Sequence, residues 1–84
     1  FLSVNDLDIA NANAYPNPTT GKLTITAQNT ILSIEIVDAA GRSVMNTIEN
    51  TTSTDINISN LPNGYYIVKI QTENGLINKN IVKN

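Results

Sequence analysis

Apolar and polar residues alternate along most of the chain, and short polar or glycine-containing stretches separate the alternating runs. Leu23, Ile25 and Ala27 alternate with Lys22, Thr24 and Thr26, and Leu32, Ile34 and Ile36 repeat the pattern against Ser33 and Glu35. A period of two puts one set of side chains on each face of an extended segment, so both runs predict half-buried strands. Asp38-Ala39-Ala40-Gly41 then offers a capping carboxylate and a residue free to take positive φ. The chain is expected to double back there into a strand over 44–48, closing a first hairpin. Residues 49–53 are polar and read as a loop, after which Ile56 and Ile58 alternate with Asp55, Asn57 and Ser59 in a short strand.

Leu61-Pro62-Asn63-Gly64 is a second tight turn, with proline at its second position. It launches the strongest strand, 65–72, and Asn74-Gly75 separates this from a last strand, 76–83. Asn and Gly tolerate the positive φ of a type I′ turn and are predicted to be the two loop residues. That register pairs Glu73 with Leu76, Ile70 with Lys79, Val68 with Ile81 and Tyr66 with Lys83. Tyr66, Val68, Ile70, Ile77 and Ile81 then share the core face, with Lys79 the one charge among them, while Lys69, Gln71, Asn78 and Asn80 take the other.

The first thirteen residues, Phe1 to Asn13, have no sustained period and read as a linker with room for one short strand. Tyr15-Pro16-Asn17-Pro18-Thr19-Thr20-Gly21 follows. Each proline there fixes its own φ and keeps its predecessor out of the helical region, so the segment reads as a turn. The domain proper is expected over 14–84. No segment has helical period. Six or seven short strands, with turn signals roughly every 8–12 residues, predict an all-β, immunoglobulin-like antiparallel β-sandwich.

Composition narrows the function more than the fold. Five basic against seven acidic side chains leave a net charge of −2, no electrostatic footprint for nucleic acid or anionic lipid. The balance is uneven, because 61–84 carry Lys69, Lys79 and Lys83 against Glu73 alone. With no cysteine, a disulfide scaffold is excluded. No run is long and apolar enough for a transmembrane helix, and the N-terminus lacks the regions of a signal peptide. The chain opens on Phe1 without an initiator Met, and is expected to be the C-terminal piece of a longer protein.

The absence of His and Cys removes the commonest general base, the thiol nucleophile and the usual transition-metal ligands. Asp6 with Asp8, or Asp38 with Asp55, are the carboxylate pairs available for acid–base work, and nothing in their spacing puts either pair in a shared cleft. Asn5-Asp6-Leu7-Asp8 resembles part of a Ca²⁺ loop without its closing ligand. Asn50-Thr51-Thr52 and Asn57-Ile58-Ser59 match the glycosylation pattern, which so Asn- and Thr-rich a chain meets by chance. Tyr65 and Tyr66 suggest an aromatic platform for a sugar, but adjacent strand positions point to opposite faces, so Tyr66 is expected in the core and Tyr65 half-exposed. No catalytic residue, cofactor or metal is expected.

Tyr15-Pro16-Asn17-Pro18-Thr19-Thr20-Gly21, Ile36-Val37-Asp38-Ala39-Ala40-Gly41-Arg42-Ser43-Val44, Leu61-Pro62-Asn63-Gly64-Tyr65-Tyr66-Ile67-Val68-Lys69-Ile70 and Lys79-Asn80-Ile81-Val82-Lys83 together resemble, in order and spacing, the type A C-terminal sorting domains of type IX secretion cargo in Bacteroidetes. Asn80 stands where a second Lys is frequent, and Ala39-Ala40 is plainer than the usual turn. The resemblance implies an export address, carried to the periplasm by an upstream signal peptide and engaged by an outer-membrane translocon. It also implies removal by a sortase-like protease, with cleavage expected in the linker ahead of Tyr15. Lys79, Ile81, Val82 and Lys83 are expected to carry the address on an edge strand open to strand addition. Arg42 is expected to order or display the central hairpin, and Pro16, Asn17, Pro18, Gly21, Gly41, Pro62 and Gly64 to hold the turns. The rival reading is a non-catalytic carbohydrate-binding, adhesion or spacer module.

Overall fold

The computed structural model describes residues 12–84. Among these residues there are five antiparallel strands: β1 (Ala12–Tyr15), β2 (Lys22–Asp38), β3 (Ser43–Asn57), β4 (Gly64–Thr72) and β5 (Gly75–Lys83). β1 takes in Ala12 and Asn13, two positions that the sequence reading assigned to the linker, and pairs with β2 from Ala12↔Ala27 to Tyr15↔Thr24.

The strand count is lower than the expected six or seven because two predicted pairs of short strands are each one long strand. The runs around Leu23–Ala27 and Leu32–Ile36 are the halves of β2, and the segments on either side of 49–53 are joined in β3. The polar stretch 49–53, expected to be a loop, is the middle of β3. β3 bonds only to β2, and a strand at a sheet border presents Thr, Ser and Asn to water at no cost in core packing.

β2 turns the corner of the sandwich. Its first half lies between β1 and the end of β3, its second between the start of β3 and β4. Register shifts between Thr26 and Ile31 and between Ile31 and Ser33 mark the passage. A bulge adds a residue on one strand and reverses which parity faces inward. Leu23 and Ile25 are buried before it, Ile34 and Ile36 after it. Leu32, which simple alternation groups with Ile34 and Ile36, has no cross-strand partner and is 41% exposed, whereas Ile31 is fully buried. One cluster unites these residues with Ala12, Ile56, Ile58, Tyr66, Val68, Ile70 and Ile81.

The β4–β5 hairpin corrects the predicted register. Thr72 pairs with Gly75, Ile70 with Ile77, Val68 with Lys79 and Tyr66 with Ile81. The loop residues are therefore Glu73 and Asn74. Among the described residues no non-glycine has positive φ, and Gly75 takes that conformation at 139°. Asn74 is thus not in the left-handed region that a type I′ turn requires of it. Thr72 organises the turn instead: its hydroxyl accepts from the Asn74 N–H at 3.2 Å and donates to the Gly75 carbonyl at 2.9 Å. The Glu73 N–H donates to the Thr30 carbonyl at 3.1 Å, tying the loop to β2. The pairs slip by two residues along β5, an even number, so the predicted division of side chains between faces survives.

Candidate functional site

The first turn that matters is 38–42, between β2 and β3. One carboxylate oxygen of Asp38 accepts from the N–H groups of Ala40 and Arg42, each at 2.9 Å, and the other meets the Arg42 Nε at 3.0 Å and Nη2 at 2.9 Å. These donors, led by the Arg42 backbone amide, hold the Asp38 carboxyl below its ordinary value against the opposing effect of desolvation. Gly41, at φ 87°, completes the turn with its N–H on the Asp38 carbonyl at 2.9 Å. The Arg42 side chain, paired with Asp38, is 80% exposed.

The second turn, 58–64, delivers β4 beside the first. Tyr66, paired with Asp38 on β2, is buried, and its hydroxyl donates to the Pro62 carbonyl. A tyrosine bonding back to the backbone just upstream is the corner device of immunoglobulin-like sandwiches. Asn63, in the same turn, accepts from the Lys83 ammonium at 3.1 Å.

The proline-rich segment 15–21 closes against β5. The two X–Pro bonds, Tyr15–Pro16 and Asn17–Pro18, are cis. The Asn17 carboxamide donates from Nδ2 to the Asn80 carbonyl at 3.1 Å and accepts from the Val82 N–H at 3.0 Å. Thr19 continues the contact: its N–H donates to the Val82 carbonyl at 2.8 Å, and its carbonyl accepts from the Asn84 N–H at 2.9 Å. Thr19 is fully buried, with its hydroxyl donating to the Lys22 carbonyl at 2.7 Å and accepting from the Gly21 N–H at 3.1 Å. The Gly21 carbonyl in turn accepts from the Ile58 N–H at 2.6 Å, and a Cβ at Gly21 would meet Ser59.

Segments remote in sequence are thereby gathered at one end of the sandwich. Asn17, Asp38–Arg42, Pro62–Tyr66 and Asn80–Lys83 each touch another of the set. Gly64 starts β4 opposite Lys83. The centre of the gathering is Tyr65, 72% exposed on the outer face of β4. It borders a hollow of about 430 Å³ shared with Asn17, Ala39, Ile67, Asn80 and Val82, and a neighbouring one lined by Asp38, Arg42, Pro62 and Asn63. The tyrosines do face opposite ways, which removes a two-ring platform.

β5 lies at the sheet border, in the order β1-β2-β4-β5. Its outward backbone groups divide into two stretches. From Asn80 to Asn84 they are taken by Asn17 and Thr19. Leu76 and Asn78 lie beyond that cover. The address lysines are not equivalent either. Lys79 sits on the core side, half-buried, opposite Val68. Lys83 is only 6% exposed, with its ammonium on Asn63. Ile81 is in the core and Val82 half-buried on the outer face.

Asn17, expected only to hold a turn, also ties that turn to β5, and Thr19, Asn63 and Tyr65 acquire roles that the linear reading did not assign. An Asn between two prolines is the only hint of the first, since it cannot join a ladder through its neighbours' missing N–H groups. Asp38 and Asp55 do not meet: one closes the β2–β3 turn and the other is paired with Thr24 near the far end of β2. Asp55 accepts from the Thr24 hydroxyl at 2.8 Å and lies 3.6 Å from Lys22. Asp6, Asp8 and the Asn5-Asp6-Leu7-Asp8 stretch lie outside the described residues.

Comparison with known proteins points the same way. The family model described as a secretion system C-terminal sorting domain matches residues 13–84. A crystal structure of a DUF3244 family protein with an immunoglobulin-like β-sandwich fold, from Bacteroides vulgatus ATCC 8482, superposes with a TM-score of 0.68 at 19% identity, covering 89% of this chain and 96% of that one. At that identity the likeness is one of fold. No curated protein matches.

Proposed function

The chain belongs to the secretion system C-terminal sorting domain family, and on that premise we propose that it is read as a folded unit, through the surface where its four recognisable segments meet. Membership makes it a sorting signal for type IX secretion, directing an attached protein to the cell surface or medium. In our reading the cargo lies upstream of residue 14, crosses the periplasm before engagement, and is released by cleavage in the segment ahead of Tyr15. The single observation that supports reading a fold rather than a peptide is the cross-chain bonding of Asn17 to Asn80 and Val82. A linear tail signal needs no such tie.

The test is a fluorescent reporter directed to the periplasm and fused ahead of residues 1–84 in a bacterium with a type IX system. Export of the fusion, and its periplasmic retention when 14–84 are removed, is the expected outcome. Retention of the intact fusion would refute the proposal. A carbohydrate-binding or adhesion module predicts ligand affinity in the isolated chain and no export, which a glycan array and a calcium titration measure directly.

A further inference from the structure

Resting on that reading, we propose that the secretion machinery docks on the outer face of β4 and β5 at Tyr65, and does not add a strand along the Asn80–Asn84 edge. The docked element is a segment of a partner protein that carries an apolar side chain beside a carboxylate.

The edge argument comes first. Strand addition needs outward N–H and C=O groups that lack partners. Along the address strand those groups are occupied: the Asn80 carbonyl and Val82 N–H by Asn17, the Val82 carbonyl and Asn84 N–H by Thr19. An incoming strand must displace this segment, and with it a fully buried Thr19. The Lys83 ammonium is committed to Asn63. What the gathered segments offer without rearrangement is a face.

That face has a definite chemistry. The hollow beside Tyr65 has the aliphatic side chains of Ile67 and Val82 on the outer face of the hairpin, and no Asp, Glu, Lys or Arg in its lining. A large exposed tyrosine beside such side chains is the composition of a protein-interface anchor, where aromatic rings and Arg dominate binding energy. A sugar site wants several converging polar groups, yet the Asn17 carboxamide is already engaged by β5. The neighbouring hollow adds a cation. Arg42, 80% exposed there, spends Nε and Nη2 on one Asp38 oxygen, leaving Nη1 without an acceptor among the described residues. A carboxylate beside the apolar anchor complements that N–H.

The reporter fusion reads this out quantitatively. Tyr65→Ala is expected to lower the export rate at least ~10-fold and Arg42→Gln by a smaller factor of roughly 3, while Ile48→Ala, 83% exposed on β3, leaves it unchanged. Ala39→Glu, which puts a like charge at the rim, is a second probe and is expected to act in the same direction as Tyr65→Ala. Thermal melts of each purified fusion exclude unfolding as the cause. Wild-type export from Tyr65→Ala and Ala39→Glu fusions would overturn the docking face while leaving the sorting function intact, whereas failure of the unaltered fusion overturns the sorting function itself. Saturable binding of a neutral oligosaccharide to the chain, abolished by Tyr65→Ala, would overturn the protein partner.

Discussion

The Val82 N–H donates to the Asn17 carboxamide at 3.0 Å across 65 residues of chain, and two residues further on the Thr19 backbone bridges Lys83, so the segment before β2 covers the outer edge of β5. The same carboxamide returns a hydrogen bond to Asn80. Both ends of the domain are thereby fastened to one another.

Asn17→Ala removes both bonds where water can replace them, and is expected to cost about 1 kcal/mol, a fall of about 4–8 °C in melting temperature for a domain of this size. Asn17→Asp is expected to cost more at neutral pH, since a carboxylate cannot donate to the Asn80 carbonyl. Urea titrations at pH 7 decide the order.

A Cβ on Gly21 would lie 2.9 Å from the Ser59 Cβ and 3.2 Å from its Cα, at φ 156°. Gly21→Ala is therefore expected to destabilise by about 1–3 kcal/mol. Pairing it with Ser59→Gly, which removes the nearest atom, should recover part of the loss. A double-mutant cycle with no coupling would mean that backbone conformation, not the contact, sets the cost.

Asp38 has its pKa lowered by folding, chiefly through the Arg42 amide. A depressed carboxyl pKa means that the unfolded chain binds more protons as the solution turns acidic. Its stabilisation is complete above the unfolded value near ~4 and is lost as pH falls through the folded value. Asp38→Asn should thus be less stable than the parent at pH 7, with the difference narrowing in acid. A difference that stays constant from neutral to acid pH would show that the carboxylate's charge contributes nothing.

Lys83 is 6% exposed with its ammonium on Asn63, so its stem packs while its head bonds. Lys83→Met is expected to hold stability within about 1 kcal/mol, and Lys83→Ala to lose more by emptying the packed volume. Export of the two reporter fusions then separates roles. Equal export from Lys83→Met and the parent assigns this lysine to structure; loss of export at unchanged stability assigns it to the address.

Strand character and the faces of β4 and β5 follow from alternation, because a half-buried strand writes its burial into a period of two, and the turns at Gly41 and Gly64 follow from the Asp, Pro and Gly residues that make them. The motifs for sorting are equally local. Three features were not legible. Alternation cannot reveal a bulge, so Leu32 was grouped with Ile34 and Ile36 and one long β2 read as two strands. A polar run at a sheet border looks like a loop, which hid the middle of β3. Asn74-Gly75 carries a strong turn signal, yet the Thr72 hydroxyl and the bond from Glu73 to Thr30 moved the loop by one residue.

By itself the sequence determined that this chain is antiparallel sheet and which side chains of β4 and β5 face its core, since burial preference and backbone freedom are properties of each residue and its near neighbours. Only the tertiary structure decided which edge is closed, where Lys83 ends up and what surrounds Tyr65. Those depend on hydrogen bonds between segments twenty to sixty-five residues apart, and such partners are chosen by the folding of the whole sandwich, not by any local pattern.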